Sequence, residues 1–297
     1  MGLKGFYPLL TRTGYIPGDV GLTDLVGKTV ALDGDSFLHR AIHVGRHTAA
    51  DLAEHILRLL RRARQAGIMV IFVTTGGPVP AEKTQNCSKH RKRKRDQQHA
   101  EITVLQQRIA ESLEDELTIH DRICKLQDAA RVIDPIVVAS AVEIIQAAGF
   151  ECLQAASEAD FLLVTLSEVG RCDYIATDDA DILVMGAQRT IRGLSALLIN
   201  DISARVFTRD DILKSIDLKS EQLLELACLL GCDYQNSIPR IGPVTALKII
   251  QVHGTIKVFL GANGDKYVLS MTVEEYLRQC ARTVEIFKSR PDIHDIR

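Results

Sequence analysis

The chain has 297 residues, enough for one large domain or two ordinary ones, and its 46% hydrophobic and 25% charged residues exclude wholesale disorder, collagen and a coiled coil. Lys and Arg number 36 against 38 Asp and Glu, so a net charge of -2 leaves any charged partner to local clusters rather than to the chain as a whole. Seven cysteines (Cys87, Cys124, Cys152, Cys172, Cys228, Cys232 and Cys280) are odd in number, widely spread and never spaced C-x-x-C. They argue against a disulfide framework or a zinc site and for reduced thiols in an intracellular protein, used as small core residues. The N-terminus lacks the apolar run of a signal peptide, and no stretch approaches the roughly 18 apolar residues that span a membrane. Gly2 opens a myristoylation pattern, but Phe6 stands where that pattern needs Ser or Thr.

In chain order, Thr29 to Asp33 (TVALD) and Ile68 to Val73 (IMVIFV) are short branched apolar runs ending at polar or glycine-rich breaks, as buried strands do. Asp173 to Thr177 and Ala204 to Phe207 read the same way, with helical patterns over Ala50 to Ala66, Ile136 to Ala148 and Ala159 to Val169. The alternation predicts an α/β fold with a mainly parallel central sheet, whose ligands gather at the carboxyl ends of the strands. Asp33 ends the first strand, and Thr177, Asp178, Asp179 and Asp181 end a later one, so convergence of acids at one edge is expected.

From Lys83 to Asp128 the alternation stops. A basic run, Lys89 to Arg95, carries six Lys or Arg in seven positions and leads into apolar residues at Ile102, Leu105, Ile109, Leu113 and Leu117. That spacing predicts an amphipathic helix or helical pair inserted as a cap. Its basic end suits an electrostatic funnel for a nucleic-acid strand, with a solvated helix or a nuclear-localisation signal as the plain alternative. Beyond Asp210 the pattern is helical, with Ser220 to Leu230 and Pro243 to His253 flanking a turn. Gly242 permits close backbone approach there, and Pro243 suits the first position of the following helix.

The acids carry the chemistry: Asp33, Glu158 with Asp160, Asp178 with Asp179 and Asp181, and Asp233, each beside an apolar element. Glu158 and Asp160 open a helix, where carboxylates also favour the positive end of the dipole. Seven acids at element ends ask for more, because clustered like charges raise one another's pKa and are tolerated mainly when cations neutralise them. Magnesium takes oxygen ligands, and two ions about 4 Å apart serve phosphodiester hydrolysis.

The opening MGLKGFYPLL, the strand VALDGDSFLHRA, the run AASEADFLL, the block YIATDDADILVMG and the stretch LLGCDYQNSIPRIGPVTALKII together resemble the flap endonuclease and XPG-like structure-specific 5′ nucleases, in their order and spacing, over most of residues 1–255. The resemblance implies a PIN-like nuclease core in two parts, residues 1–82 and 132–215. It also implies a helical arch over 83–131 and a helix-two-turn-helix region with C-terminal extension over 216–297. It carries two divalent metals, Mg2+ with Mn2+ as a substitute, onto Asp33, Glu158, Asp160, Asp179, Asp181 and Asp233, and leaves Asp178 a non-ligand acid. Lys83 and Lys89 become the catalytic cations that reach the scissile phosphate, with Asp181 beside them. On the DNA side it points to Gly2, to His39 as the residue that stacks on a base, and to Arg46, Arg91, Arg93 and Arg95. Ile238, Arg240 and Gly242 would form a turn that grips duplex phosphates, with K+ as its monovalent cation. One departure stands out: Thr75 occupies the place of a seventh metal-binding acid. Asp35 would compensate for it if the strand continued and set Asp35 on the side of Asp33, although the family turns into a helix there.

These readings imply a 5′ flap endonuclease and 5′ exonuclease acting on branched DNA in replication or repair. The alternatives are a DNA-junction binding protein weakened by Thr75 and an RNA-directed nuclease. A monomer working inside the cell, nuclear in a eukaryote or in the replication compartment of a viral host, is expected. Neither a membrane nor, without a Q-x-x-hydrophobic-x-x-aromatic-aromatic tail, a sliding-clamp partner is expected.

Overall fold

The computed structural model describes residues 3–43, 45–110, 116–130, 134–267 and 271–291; at 85–91, 94, 110, 116–117, 128–130 and 265 it describes the backbone alone. Seven strands form one sheet: β1 (Gly18–Val20), β2 (Thr29–Asp33), β3 (Met69–Thr75), β4 (Glu151–Ala155), β5 (Tyr174–Ala176), β6 (Arg189–Arg192) and β7 (Ala204–Thr208). Their order is β1-β7-β6-β5-β2-β3-β4, parallel from β6 to β4, with β7 antiparallel to β6 and β1 antiparallel to β7. The runs TVALD, IMVIFV, DYIAT and ARVF are all strands, and the α/β reading holds. The sequence reading passes over β1, β4 and β6. The first and last of these are only three and four residues long, while β4 (ECLQA) alternates weakly because it is an edge strand, half exposed along most of its length.

Alternation along the strands splits the core. Ala31, Ile71, Val73 and Ile175 face one layer, built by the helices Phe6–Arg12, Ala159–Glu168, Ser220–Leu230 and Pro243–His253. Val30, Leu32, Phe72 and Ala176 face the other, where the helices Gly34–His43, Ala49–Gln65, Pro135–Ala147 and Leu194–Asn200 pack. The helix Ala49–Gln65 shows why such a segment folds. Thr48 Oγ1 accepts the Asp51 N–H at 3.1 Å to cap its start, and Leu52, Ile56, Leu59 and Leu60 form one fully buried stripe. Each such side chain contributes roughly 1.5–3 kcal/mol of gross transfer free energy.

The chain leaves β2 for β3 and β4 on one side, then returns to β5 on the other, so the β2/β5 boundary is a topological switch point, where a crevice opens beyond the strand ends. The period of two places Asp33 on the face of Ala31, toward the helix Ala159–Glu168.

Between β3 and Pro135 lie two long helices, Ala81–Ala110 and Glu116–Ala130, which pack on each other through a small separate core of Ile102, Ile119, Ile123 and Leu126, flanked by Leu105 and Ile109. Leu113 lies outside the described residues, as does the side chain of Leu117. The basic run falls in the middle of a 30-residue helix, which spans about 45 Å. Of the cysteines, Cys172, Cys228 and Cys280 are buried as expected, while Cys124 is exposed on the outer cap helix, a position amphipathic packing leaves to solvent. Among the described residues no single helix is long and apolar enough to cross a membrane.

Candidate functional site

Four chain segments deliver carboxylates to the switch point. Asp33 ends β2, and Thr177, the residue after β5, donates its hydroxyl to Asp33 Oδ2 at 2.7 Å; the Ser36 N–H donates to Oδ1 at 3.0 Å. Gly34 permits the turn into the next helix, because a Cβ there would stand 2.6 Å from the Val73 carbonyl. Past β5, the Asp179 N–H bonds Thr177 Oγ1 at 3.1 Å and the Asp181 N–H bonds Asp179 Oδ1 at 3.0 Å, a tight local turn that folds both acids back toward β2. Glu158 and Asp160 open the helix Ala159–Glu168, and Asp233 follows Gly231, whose φ of +80° ends the helix Ser220–Leu230.

Lys83, in the first turn of the long cap helix, stands among these acids. Its Nζ pairs with Glu158 and lies 3.7 Å from Asp160 Oδ2 and 3.7 Å from Asp233 Oδ2. Burial alone would lower the pKa of this ammonium, but the negative field of Asp160 and Glu158 outweighs burial and holds it well above the ordinary lysine range. One positive charge cannot balance the set. Burial, against the relief from Thr177 and Ser36 and with added repulsion from Asp35 and Asp179, pushes the Asp33 carboxyl up to about 6. Burial and neighbouring carboxylates likewise hold Asp160 and Asp181 well above the carboxylate range, although Lys83 opposes the shift at both. Asp181 is 3% exposed, and its Oδ1 is buried with no hydrogen-bond partner among the described residues.

Among the described residues no three His, Cys, Asp or Glu side chains are already drawn together as a metal would hold them. The Lys83 ammonium fills the space between three of the acids. The donor set nevertheless fits hard divalent cations: it is all oxygen, carries more negative charge than its one lysine cancels, and includes an orphaned buried oxygen.

Several groups that shape this site are not legible as such in the sequence. The Tyr234 hydroxyl, kept protonated by burial and by the charge of Glu158, donates to Glu158 Oε1 at 2.9 Å. The signal was present, since Tyr234 follows Asp233 directly in the GCDY run, but nothing there says which acid it would meet. Thr75 Oγ1 accepts the Ala159 N–H at 3.0 Å, capping a helix whose own N-cap residue, Glu158, makes no capping bond. Gly77 permits the approach of that loop, because a Cβ there would stand 1.8 Å from the Ala156 carbonyl. The strand ends at Asp33 and a helix starts at Gly34, so Asp35 does not share the side of Asp33 by strand alternation; its carboxylate instead accepts the Thr75 N–H, at 3.2 and 3.4 Å from its two oxygens.

Asp178 is held apart from the cluster by Arg40 at 2.7 Å and Arg192 at 3.4 Å. His39 is exposed on the helix Gly34–His43, its ring 4.4 Å from that of His43, and Arg46 is exposed just beyond that helix. Arg93 is exposed and Arg95 half-buried on the cap helix, while the side chains of Lys89 and Arg91, and Gly2 altogether, lie outside the described residues. At the turn before Pro243, Arg240 is exposed with a left-handed φ of +69° and Gly242 is exposed. The Ile238 side chain is 1% exposed, packed in the core because an apolar group gains most there, so only its backbone is left for a ligand. Arg282, on the C-terminal helix Val273–Lys288, pairs with Glu82 at 2.9 Å and ties that helix to the foot of the cap beside Lys83.

This architecture has counterparts of known identity. The sequence matches the XPG N-terminal domain over residues 1–99 and the XPG I-region over residues 149–233, together more than half of the chain. Flap endonuclease 1 of Entamoeba dispar is 27% identical over 281 residues, covering 90% of this chain and 71% of that protein. In fold, the catalytic core of Rad2 in complex with DNA substrate is similar with a TM-score of 0.64 at 19% identity, covering 98% of this chain and 82% of that one. Flap endonuclease-1 from Methanococcus jannaschii gives a TM-score of 0.63 at 17% identity, over 96% and 85% of the two chains. The two matched regions, in their family order and bracketing the helical cap, bring strand-end acids to one crevice, and on that ground the chain belongs to the XPG family of flap-endonuclease-like nucleases.

Proposed function

We propose that the protein is a divalent-metal-dependent, structure-specific 5′ flap endonuclease and 5′ to 3′ exonuclease that hydrolyses phosphodiester bonds in branched DNA during replication or repair. One observation carries this reading: Asp33, Glu158 with Asp160, Asp179 with Asp181, and Asp233 approach from four separate stretches of chain, and three of these acids share the Lys83 ammonium. These six acids would hold two magnesium ions, with manganese able to replace them. When bound, the ions supply Lewis acidity at the scissile phosphate and neutralise charge on the oxygens there.

The protein's own groups do the rest. Lys83 stands at the foot of the cap, where its ammonium can turn from the acids to a phosphate oxygen. Tyr234 fixes the orientation of Glu158 through Oε1. Asp181, whose Oδ1 has no hydrogen-bond partner among the described residues, would take a proton from the attacking water. The basic run of the cap helix draws in the 5′ single strand, with Lys89, Arg91, Arg93 and Arg95 as its contacts. The turn of Ile238, Arg240 and Gly242 receives duplex phosphates through backbone groups and one cation, with K+ as its candidate ion, so recognition follows DNA shape rather than sequence. Gly2, His39 and Arg46 are assigned to the DNA beside the cleavage point.

Thr75 favours a second reading, a junction-binding protein with weakened turnover, because its neutral hydroxyl is already committed to Ala159. The deciding experiment incubates 5′-flap DNA and its RNA counterpart with magnesium or manganese. Cleavage of the DNA flap near the junction is expected. Tight flap binding without cleavage in either metal would establish the second reading, and preferential cutting of RNA would reassign the substrate.

A further inference from the structure

The acids of the crevice are unevenly distributed over the strands that build it. β2 ends in Asp33, the residues after β5 bring Asp179 and Asp181, and the loop after β4 brings Glu158 and Asp160. β3 lies between β2 and β4 and runs into Thr75, Gly76 and Gly77, with no acid of its own. The Thr75 hydroxyl is neutral and already accepts the Ala159 N–H at 3.0 Å. The turn after β2 explains what fills the gap. Asp33 lies opposite Val73 in the parallel pair, the pairing ends there, and the helix that starts at Gly34 sets Asp35 against the end of β3. There the Asp35 carboxylate takes the Thr75 N–H, 3.2 Å from Oδ2 and 3.4 Å from Oδ1. A further observation marks the crevice as a place for a cation: Asp181 presents a buried carboxyl oxygen with no hydrogen-bond partner among the described residues. Thr75 thereby links the Asp35 carboxylate to the start of the helix that carries Glu158 and Asp160.

On the reading of the crevice as a divalent-metal site, we infer that Asp35 is its seventh carboxylate, supplying from the helix after β2 the negative charge that β3 lacks. One backbone N–H leaves most of the acceptor capacity of an ionised carboxylate unused, and Asp35 is only half-buried, so it remains accessible to an ion or to its hydration shell. An anchoring role alone would need a hydrogen-bond acceptor at this position and no charge. The distinction makes the inference testable, because Asn keeps an acceptor for Thr75 and removes the charge.

The experiment measures magnesium binding to the full chain by calorimetry and by the rise in thermal midpoint with added magnesium chloride, without DNA. The variants are Asp35→Asn, Asp179→Asn and the double variant Asp35→Asn with Thr75→Asp. Asp35→Asn is expected to weaken magnesium binding about tenfold, the scale on which supporting groups of metal sites act. Its metal-free thermal midpoint should stay close to that of the parent. Thr75→Asp in the same chain should recover most of the affinity, since it returns a carboxylate to the same strand-end level from β3. Unchanged magnesium affinity in Asp35→Asn, with weakened affinity in Asp179→Asn, would overturn the role of Asp35 and leave the metal site intact. Absence of magnesium binding to the parent chain would overturn the metal-site reading itself, and this inference with it.

Discussion

Asp33 and Asp181 are buried carboxyls and Asp160 a half-buried one, and the cost of keeping them charged appears as raised pKa values rather than as broken structure. Linkage makes stability depend on pH through them. The native Asp33 carboxyl titrates at about 6, against 3.8 for an unperturbed aspartate. Below about pH 4 both the native and the unfolded chain hold this proton. Between pH 4 and 6 only the native state holds it, so the unfolded state binds fewer protons and stability falls as pH rises. The loss through Asp33 is about 3 kcal/mol at most, at 1.36 kcal/mol per pKa unit. Asp160 and Asp181 act in the same direction. Thermal midpoints in a chelating buffer should therefore fall between pH 4 and 6, and Asp33→Asn should flatten that part of the profile. A midpoint as steep in Asp33→Asn as in the parent would show that Asp33 is not the group responsible.

The helix Ala159–Glu168 illustrates how an element is positioned by residues outside it. Its N-cap residue, Glu158, turns to Lys83 and Tyr234 instead of capping, so the first amide is satisfied across the sheet by Thr75. Removing the hydroxyl leaves a part-buried N–H without its acceptor. Thr75→Val should therefore cost about 1 kcal/mol of stability, the usual worth of an N-cap, while Thr75→Ser should retain it. Urea unfolding midpoints check both, and an unchanged midpoint in Thr75→Val would show that the cap contributes nothing. Much at this scale was legible. The helices Ser220–Leu230 and Pro243–His253 and the strand Thr29–Asp33 begin and end where their apolar patterns, Gly231 and Pro243 place them. The strands β1 and β6 were not, because three or four residues carry too little periodicity to stand out.

Across the whole molecule, a net charge of -2 conceals a division between a carboxylate crevice and a cap helix with a basic middle. Replacing Lys92, Arg93 and Arg95 by Ala should weaken binding to single-stranded and flapped DNA and flatten its salt dependence. The slope should drop by about 0.7 for each phosphate that is no longer neutralised. Magnesium affinity should stay unchanged, because these residues lie well along the cap helix from Lys83. Salt titrations of the two proteins check this, and equal slopes would remove the basic run from the DNA path. By itself the sequence determined the alternation of strands and helices, the inserted helical cap and the acids at element ends, since each rests on local periodicity and on breaks a few residues long. Only the tertiary structure decided that Lys83 closes among Glu158, Asp160 and Asp233, that Asp178 is drawn off by Arg40 and Arg192, and that Asp35 meets Thr75. These pairings join residues far apart in the chain, so they depend on sheet order and register, which no local pattern encodes.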